Sequence, residues 1–396
     1  MQTVLSRRAR SVSGSETLAI NAKAKELKKK GIDVVAFAAG EPDFPTPAYI
    51  CRAAHEAIDR GETRYTPAAG TAELRARIAK KLQEENGLSY APEEIVVSCG
   101  AKHSLANVIL ALVDDGDEVL LPSPYWVSYP EMVHLAGGRV SVIPTSAESG
   151  YRVRPEDVAR ACTERTKLFI LNSPSNPTGT VYPPEELERL GRVLVEKGLW
   201  CISDEIYEKL VFGKAVHRSI AAVVPELKGR TVVVNGHSKA YAMTGWRIGY
   251  AAGPREVMEA VANIQSHTTS NPTSIAQAAA LAALSDGAHE IESMRAEFER
   301  RRDRLVELLR RIKGVRLPAV PEGAFYVFPD VSALYHKGAM KDVADSAGFA
   351  RVCLEEAHVA VVPGKAFGED RCVRLSYATG LDRIEEGMKR LAKLLS

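Results

Sequence analysis

The sequence predicts an α/β protein: a mostly parallel central sheet with helices on both faces, joined to a smaller α+β lobe. Three observations predict it. Short runs that are apolar throughout, such as 168–171 and 232–234, suit strands covered on both sides rather than strands with one wet face. Up to about residue 284 these runs alternate with helical stretches, the pattern that builds parallel sheets. From about residue 288 the alternation gives way to a long charged amphipathic helix and then mixed short elements. A chain of 396 residues that is 45% hydrophobic has enough apolar material for two lobes.

In order along the chain, Ser15 is placed to N-cap a helix over about 16–30, with Gly31 as its stop. Residues 33–38 are strand-like, and 40–47 form a proline-punctuated loop. Helical patterns follow at about 47–60 and 71–86. A strand at 95–98 leads through Gly100, Ala101 and Lys102 into a helix at about 102–113. Further strands are expected at 118–121, 140–143, 168–171, 201–203, 232–234 and 248–251. Helices at about 126–136, 155–162, 184–197 and 254–284 alternate with them. Beyond these, a helix from about 288 to 312 precedes an extended stretch at 323–330. A helix at about 346–357, extended runs at 359–363 and 372–376, and a final helix from about 382 complete the chain.

Composition excludes several classes. A formal net charge of +2 creates no field that attracts nucleic acid or a membrane strongly. The basic clusters at 28–30 and 300–302 lie in helical patterns and read as solvated faces. The six cysteines show no paired spacing and read as reduced, mostly buried thiols of a cytosolic, hence cytoplasmic, protein. No apolar run approaches the roughly 18 residues of a membrane span. Residues 1–13 are Arg- and Ser-rich and lack acids, but they are short and without an apolar core, and read as an N-terminal arm. The nine histidines form no ligand-like cluster and no CxxC or HExxH occurs, so no metal is expected. The absence of GxGxxG after a strand counts against a nicotinamide dehydrogenase.

The chemistry concentrates at strand ends. The β-branched run at 231–234 ends in small residues and presents Lys239, with Arg247 eight positions later. Partial desolvation at such a place favours the neutral amine of Schiff-base chemistry, and an arginine there suits a phosphate. Together they point to pyridoxal phosphate. The apolar run at 200–203 delivers Asp204 to the edge where ligands of parallel sheets gather, placed to hold a pyridine nitrogen protonated. The run at 167–171 enters a turn with two X-Pro steps and leaves Asn176 exposed at that edge. Arg374, on a short strand near the C-terminus, has the geometry to pair bidentately with a carboxylate. Each has a plainer reading taken alone: a surface lysine, a turn aspartate, a proline-rich connection, an ion-paired arginine.

Eight segments in order decide between these readings. NPTG (176–179), SDEIY (203–207), SKAYAMTGWRIGY (238–250), VRLSYA (373–378), AAGEPDF (38–44), RYTPAAG (64–70), SPYWVSYPEM (123–132) and EGAFYVF (322–328) span nearly the whole chain. The chain resembles the class I aminotransferases of pyridoxal phosphate fold type I, in the branch of bacterial and plastid aspartate and aspartate/prephenate aminotransferases. The resemblance implies a large cofactor-binding domain over 45–285 and a discontinuous small domain of 1–44 and 286–396, the N-terminal arm crossing a homodimer interface. It implies Lys239 as covalent tether and general base, Asp204 against the pyridinium, Tyr207 and Asn176 at the phenolate oxygen, and Trp126 stacked on the ring. Gly100, Ala101, Lys102 and Arg247 would bind the phosphate, with Tyr65 reaching it from the other subunit, so that the two active sites are shared. Arg374 would grip the α-carboxylate beside Gly40 and Asn176. Lys102 would take the distal carboxylate and Thr17 would mark prephenate use; the alternatives are an exposed helix-start lysine and a threonine packed in its helix's first turn.

The expected reaction is L-aspartate plus 2-oxoglutarate to oxaloacetate plus L-glutamate, with prephenate to arogenate as a further activity. An aromatic or alanine aminotransferase, or a C–S lyase of the same fold, would use the same groups. A cofactor-binding regulator without catalysis is the rival of another class, but only a short arm precedes the first helix, with no room for a winged-helix module. His103 and His237 flank the proposed site and are expected to be structural.

Overall fold

The computed structural model describes residues 4–14 and 16–396, so Ser15, the expected N-cap, and the first three residues of the arm lie outside the described residues. Twelve strands are formed among the described residues: β1 (Val35–Ala36), β2 (Ile95–Ser98), β3 (Glu118–Ser123), β4 (Arg139–Pro144), β5 (Thr166–Asn172), β6 (Trp200–Asp204), β7 (Thr231–Gly236), β8 (Gly249–Ala252), β9 (Tyr326–Val327), β10 (Val359–Ala360), β11 (Val362–Pro363) and β12 (Val373–Ser376). Seven make one sheet in the order β2-β8-β7-β6-β5-β3-β4. Strands β3 to β7 pair in parallel, and β8 runs antiparallel to both of its neighbours.

The apolar runs are explained by burial on both faces. Leu120, Phe169, Leu171 and Cys201 meet Leu187, Leu190 and Leu194 of the helix Pro184–Glu196 on one side. Val119, Leu121, Ile170, Ile202 and Val234 meet Leu105, Val108 and Val261 on the other. Successive strand residues point to opposite faces, so neither set has a polar position to spare. Leu194 is fully buried, and its shortening to Ala would cost about 2–5 kcal/mol.

A second apolar centre lies in the remainder of the chain. Phe37, beside β1, packs with Phe298 and Leu305 of the long helix Ala288–Arg310 and with Ile384 of the helix Leu381–Leu394. There β1 pairs in parallel with β10, and β11, β12 and β9 form an antiparallel sheet. The first strand of the chain is thus stitched to its last quarter.

Several expected elements are redrawn. The helix anticipated over 254–284 is two, Arg255–Thr268 and Ser274–Ser285. Ser270 takes φ +63 and Pro272 follows; a left-handed residue and a missing N–H end the helical ladder. The extended run at 359–363 divides into β10 and β11, which pair with different partners. Only Tyr326 and Val327 of the stretch 323–330 form a strand, and only Val35 and Ala36 of the stretch 33–38. The arm contains a short helix, Arg7–Ser11. No helix among the described residues is long and apolar enough to cross a membrane.

Candidate active site

Because β5, β6 and β7 are parallel, their C-terminal ends share one edge. Asn172 pairs with Asp204, and Asp204 with Val234, in register. The chain continues from these ends to Asn176 and Lys239, which with Asp204 line one cavity of about 580 Å³. Gly40, Ala101, Lys102, Trp126, Tyr207, Arg247, Arg374 and Thr17 line it as well.

The floor holds three charges out of water. The Lys239 Nζ donates to the Gly40 carbonyl at 2.6 Å and forms no carboxylate ion pair among the described residues. Burial, reinforced by the Arg374 guanidinium, brings its proton affinity down to about 8. Asp204 is 4% exposed. Its Oδ2 accepts from the Tyr129 hydroxyl at 2.6 Å and its Oδ1 from the Ile206 N–H at 3.2 Å. Burial outweighs these bonds and pushes the carboxyl up to about 6. Such a group is stabilised by any cation brought to it.

Arg374 is 2% exposed. Its Nη1 donates to Asn176 Oδ1 and its Nη2 to the Ala38 carbonyl, both at 3.0 Å, while its Nε is buried without a partner. The guanidinium lies 4.3 Å from the Tyr326 ring centre. Burial lowers its proton affinity, but a guanidinium keeps its charge, so an anion gains by reaching it. The Tyr207 hydroxyl meets that of Tyr326 at 2.9 Å, and burial raises its proton affinity well above the ordinary tyrosine value.

A second anion seat lies where the helix Ala101–Leu112 begins. No side chain caps that end; the His103 and Ser104 N–H groups turn to the Gly100 carbonyl, which leaves those of Ala101 and Lys102 to meet an anion. Arg247, at φ +53, donates from Nη1 to the Thr244 carbonyl at 2.8 Å. A Cβ on Gly100 would approach Arg247 Nη2 to 2.6 Å, and one on Gly249 would approach the Ala101 nitrogen to 2.4 Å. The arginine and the helix start converge because both positions lack side chains. An amine without a carboxylate partner, a buried carboxylate and this cradle match the aldehyde, ring nitrogen and phosphate of pyridoxal phosphate.

The remaining expected residues differ in placement. Trp126 stands edge-on to Tyr129, with ring centres 5.3 Å apart. The Lys102 ammonium lies 4.9 Å from the Trp126 ring centre, on a side chain that is exposed at the cavity wall. Thr17 Oγ1 is buried without a partner. Gly100 is not part of the cavity wall but lies directly behind Arg247. Tyr65 is 89% exposed and outside the cavity.

Four expectations need correction. Arg301 and Arg302, read as part of a solvated face, are only 6% and 8% exposed, because Arg301 reaches Asp43 and Glu297 and Arg302 reaches the Pro321 carbonyl. Asn176 is not exposed but 6% accessible, because its side-chain oxygen is taken by Arg374. Lys28, read as part of a solvated face, is exposed yet lines the cavity. His217 does join a ligand-like cluster, since it, Glu205 and Glu208 bring their ligand atoms within 4.8 Å of one another. The spacing 205, 208, 217 matches no metal motif, and the Lys81 ammonium already pairs with Glu208 there.

His103 and His237 do not line the cavity. His237 is 1% exposed, packs against Tyr241 and Tyr250 and is held neutral by burial, its proton affinity lowered to about 3. All six cysteines are free.

Sequence reasoning missed Tyr129, Tyr326 and Asn172. Asn172 Oδ1 accepts from the Asn176 N–H at 2.9 Å and its Nδ2 donates to the Asp204 carbonyl at 3.0 Å. Tyr129 lies in the first turn of the helix Ser128–Ala136 and within the segment 123–132 that carries Trp126, and that segment was the available signal.

Comparison with known proteins shows the family. The family model for aminotransferase class I and II matches residues 32–391. The chain is 48% identical over 391 residues to the aspartate aminotransferase of Geobacillus stearothermophilus, covering 99% of this chain and 98% of that one. It is 48% identical over 396 residues to the aspartate/prephenate aminotransferase of Thermus thermophilus, covering 99% and 98%. The solved structure of the aspartate aminotransferase from Thermus thermophilus with maleate superposes with a TM-score of 0.94 at 46% identity, covering 100% of both chains.

Proposed function

This chain belongs to the class I and II aminotransferases, and from that premise we propose that it moves the amino group of L-aspartate to 2-oxoglutarate, giving oxaloacetate and L-glutamate. The observation that carries this reading is the meeting of half-buried Lys239 with buried Asp204 and Arg374 at one cavity. Pyridoxal phosphate, the family's cofactor, supplies an aldehyde that takes up the amino group and a ring that accepts the electron pair left when the substrate's Cα–H bond breaks.

In this reading Lys239 is the covalent tether and, once freed, the base that moves the substrate's proton. A proton affinity lowered to about 8 gives it a larger neutral fraction at neutral pH than an exposed lysine has. Asp204 keeps the ring nitrogen protonated, and the Tyr129 hydroxyl fixes its direction. Tyr207 and Asn176 would serve the phenolate oxygen. Arg247, Gly100 and the backbone of Ala101 and Lys102 would hold the phosphate, and Trp126 would cover the ring. Arg374 takes the α-carboxylate beside Gly40 and Asn176, and Lys102 takes the distal one. Tyr65, 89% exposed, would complete the phosphate site of a second subunit in a homodimer with shared sites, and six free cysteines suit a cytoplasmic setting. A large domain over 45–285 carries the cofactor, and residues 1–44 with 286–396 form the small one.

Prephenate is a further proposed amino acceptor. The unpartnered Thr17 hydroxyl at the cavity wall favours it, as does the name of the Thermus thermophilus relative. The test is purified protein with pyridoxal phosphate, assayed with aspartate and glutamate against 2-oxoglutarate, oxaloacetate and prephenate. Keto-acid-dependent transfer from aspartate is expected, and release of pyruvate and ammonia instead would overturn the reading. Lys102→Ala is expected to raise KM for aspartate at least about tenfold more than for alanine, the loss of one charge-assisted contact.

A further inference from the structure

The cavity does not stop at the substrate groups. Thr17, Asn21, Ala24, Lys25 and Lys28 all line it, and their spacing puts them on one face of the helix Glu16–Lys29. From Thr17 to Lys28 that face extends about 16 Å at 1.5 Å per residue. Lys23 of the same helix and Lys30 just past its end both reach Glu26, at 3.5 and 2.6 Å. Lys25 and Lys28 form no ion pair among the described residues. Both are exposed, and both line the cavity.

Charge is strongly concentrated here. Six cationic side chains line the cavity, Lys25, Lys28, Lys102, Lys239, Arg247 and Arg374, against two carboxylates, Glu41 and Asp204; with Lys239, Arg247 and Asp204 committed to the cofactor, Lys25, Lys28, Lys102 and Arg374 still stand against Glu41 alone. The whole chain has a formal net charge of only +2, so the rest of the surface is close to neutral or slightly acidic. A concave site lined by one sign focuses its field and raises the local concentration of the opposite sign.

Resting on the transaminase reading above, we propose that Lys25 and Lys28 recruit dianionic substrates into the cavity through their field rather than by contact, and so favour dicarboxylates over monocarboxylates. The helix that walls the cavity thereby helps set substrate preference from a position remote from the bond that breaks.

The test is calorimetric binding of succinate, a dicarboxylate without an amino group, to the cofactor-loaded protein at about 20 and 500 mM salt, where the screening length falls from roughly 20 to 4 Å. Lys25→Gln/Lys28→Gln is expected to weaken binding about three- to tenfold at low salt, a loss that vanishes at high salt. Lys29→Gln, on the same helix but outside the cavity wall, is expected to bind like the wild type. Wild-type affinity in the double variant at low salt overturns the proposal. An equal loss in Lys29→Gln overturns it too, since net charge would then suffice, and a loss equal at both salts overturns the field in favour of contact. Salt-dependent succinate binding by a protein that shows no transamination would leave this inference standing and remove the functional reading beneath it.

Discussion

Lys239 is half-buried and Lys81 buried, and their proton affinities move in opposite directions. Burial takes Lys239 down to about 8, with Arg374 adding to the fall. Burial acts against the charge of Lys81 too, but Glu208 and Glu85 outweigh it and raise that group. Lys81 is 2% exposed and also donates to Asn86 Oδ1 at 2.8 Å. The difference is a carboxylate in contact. With one, a buried lysine is a fixed cation that ties the helix Ala72–Asn86 to the turn after β6. Without one, it is an amine ready for chemistry.

The largest expected effect breaks the reactive side of the pair. Lys239→Ala should lower turnover at least about 10⁴-fold, the scale of losing the general base, and erase visible absorbance of the bound cofactor. Retention of both would remove the assignment. Next, Lys81→Met should destabilise the protein by about 3 kcal/mol in urea titrations, because Glu208 loses its ammonium partner and keeps only the neutral Asn86 amide at 2.7 Å. Lys81→Met/Glu208→Gln should recover most of that loss, and a double variant as weak as the single one would show that the ion pair is not the cause.

Asp204 sharpens the comparison through pH. Its folded proton affinity, about 6, lies above the ordinary 3.8, so ionising it opposes folding. In cofactor-free protein this group's favourable contribution is present below about pH 4 and is lost as pH rises through 6, a loss of about 3 kcal/mol. Asp204→Asn should therefore gain stability over the wild type between pH 4 and 6 and keep that advantage above. A pH-independent difference would contradict the burial argument. The smallest effect is expected at Tyr326→Phe, which removes the hydroxyl partner of Tyr207. A single hydrogen bond, about 1 kcal/mol, corresponds to roughly a fivefold rise in KM for aspartate, and an unchanged KM would make the contact inert.

Much of this was legible because it is local. The strand Ile95–Ser98 and the helix starts at Pro155 and Pro184 follow from apolar runs and first-turn prolines, and Lys239, Asp204 and Arg374 stand at strand ends or on strands that periodicity marks. Contacts between distant segments were not legible. Lys81 meets Glu208 across 127 positions, and Tyr207 meets Tyr326 across 119. Nothing in either local run announces its partner. Asn176 was misjudged for the same reason, since Arg374 covers it from 198 positions away. The break at 269–273 was visible in Asn271 and Pro272, but an alanine-rich run on its far side masked it.

One reversed strand has a mechanical consequence. Were β8 parallel to β7, the chain would have to cross the sheet between them, and the residues preceding β8 would sit at the opposite edge. Because β8 turns back, Lys239 and Arg247 share a single short connection at the same rim. Whatever shifts that loop displaces the proposed anchor points at the aldehyde and phosphate ends together, so the bound coenzyme would be gripped or released at both ends at once.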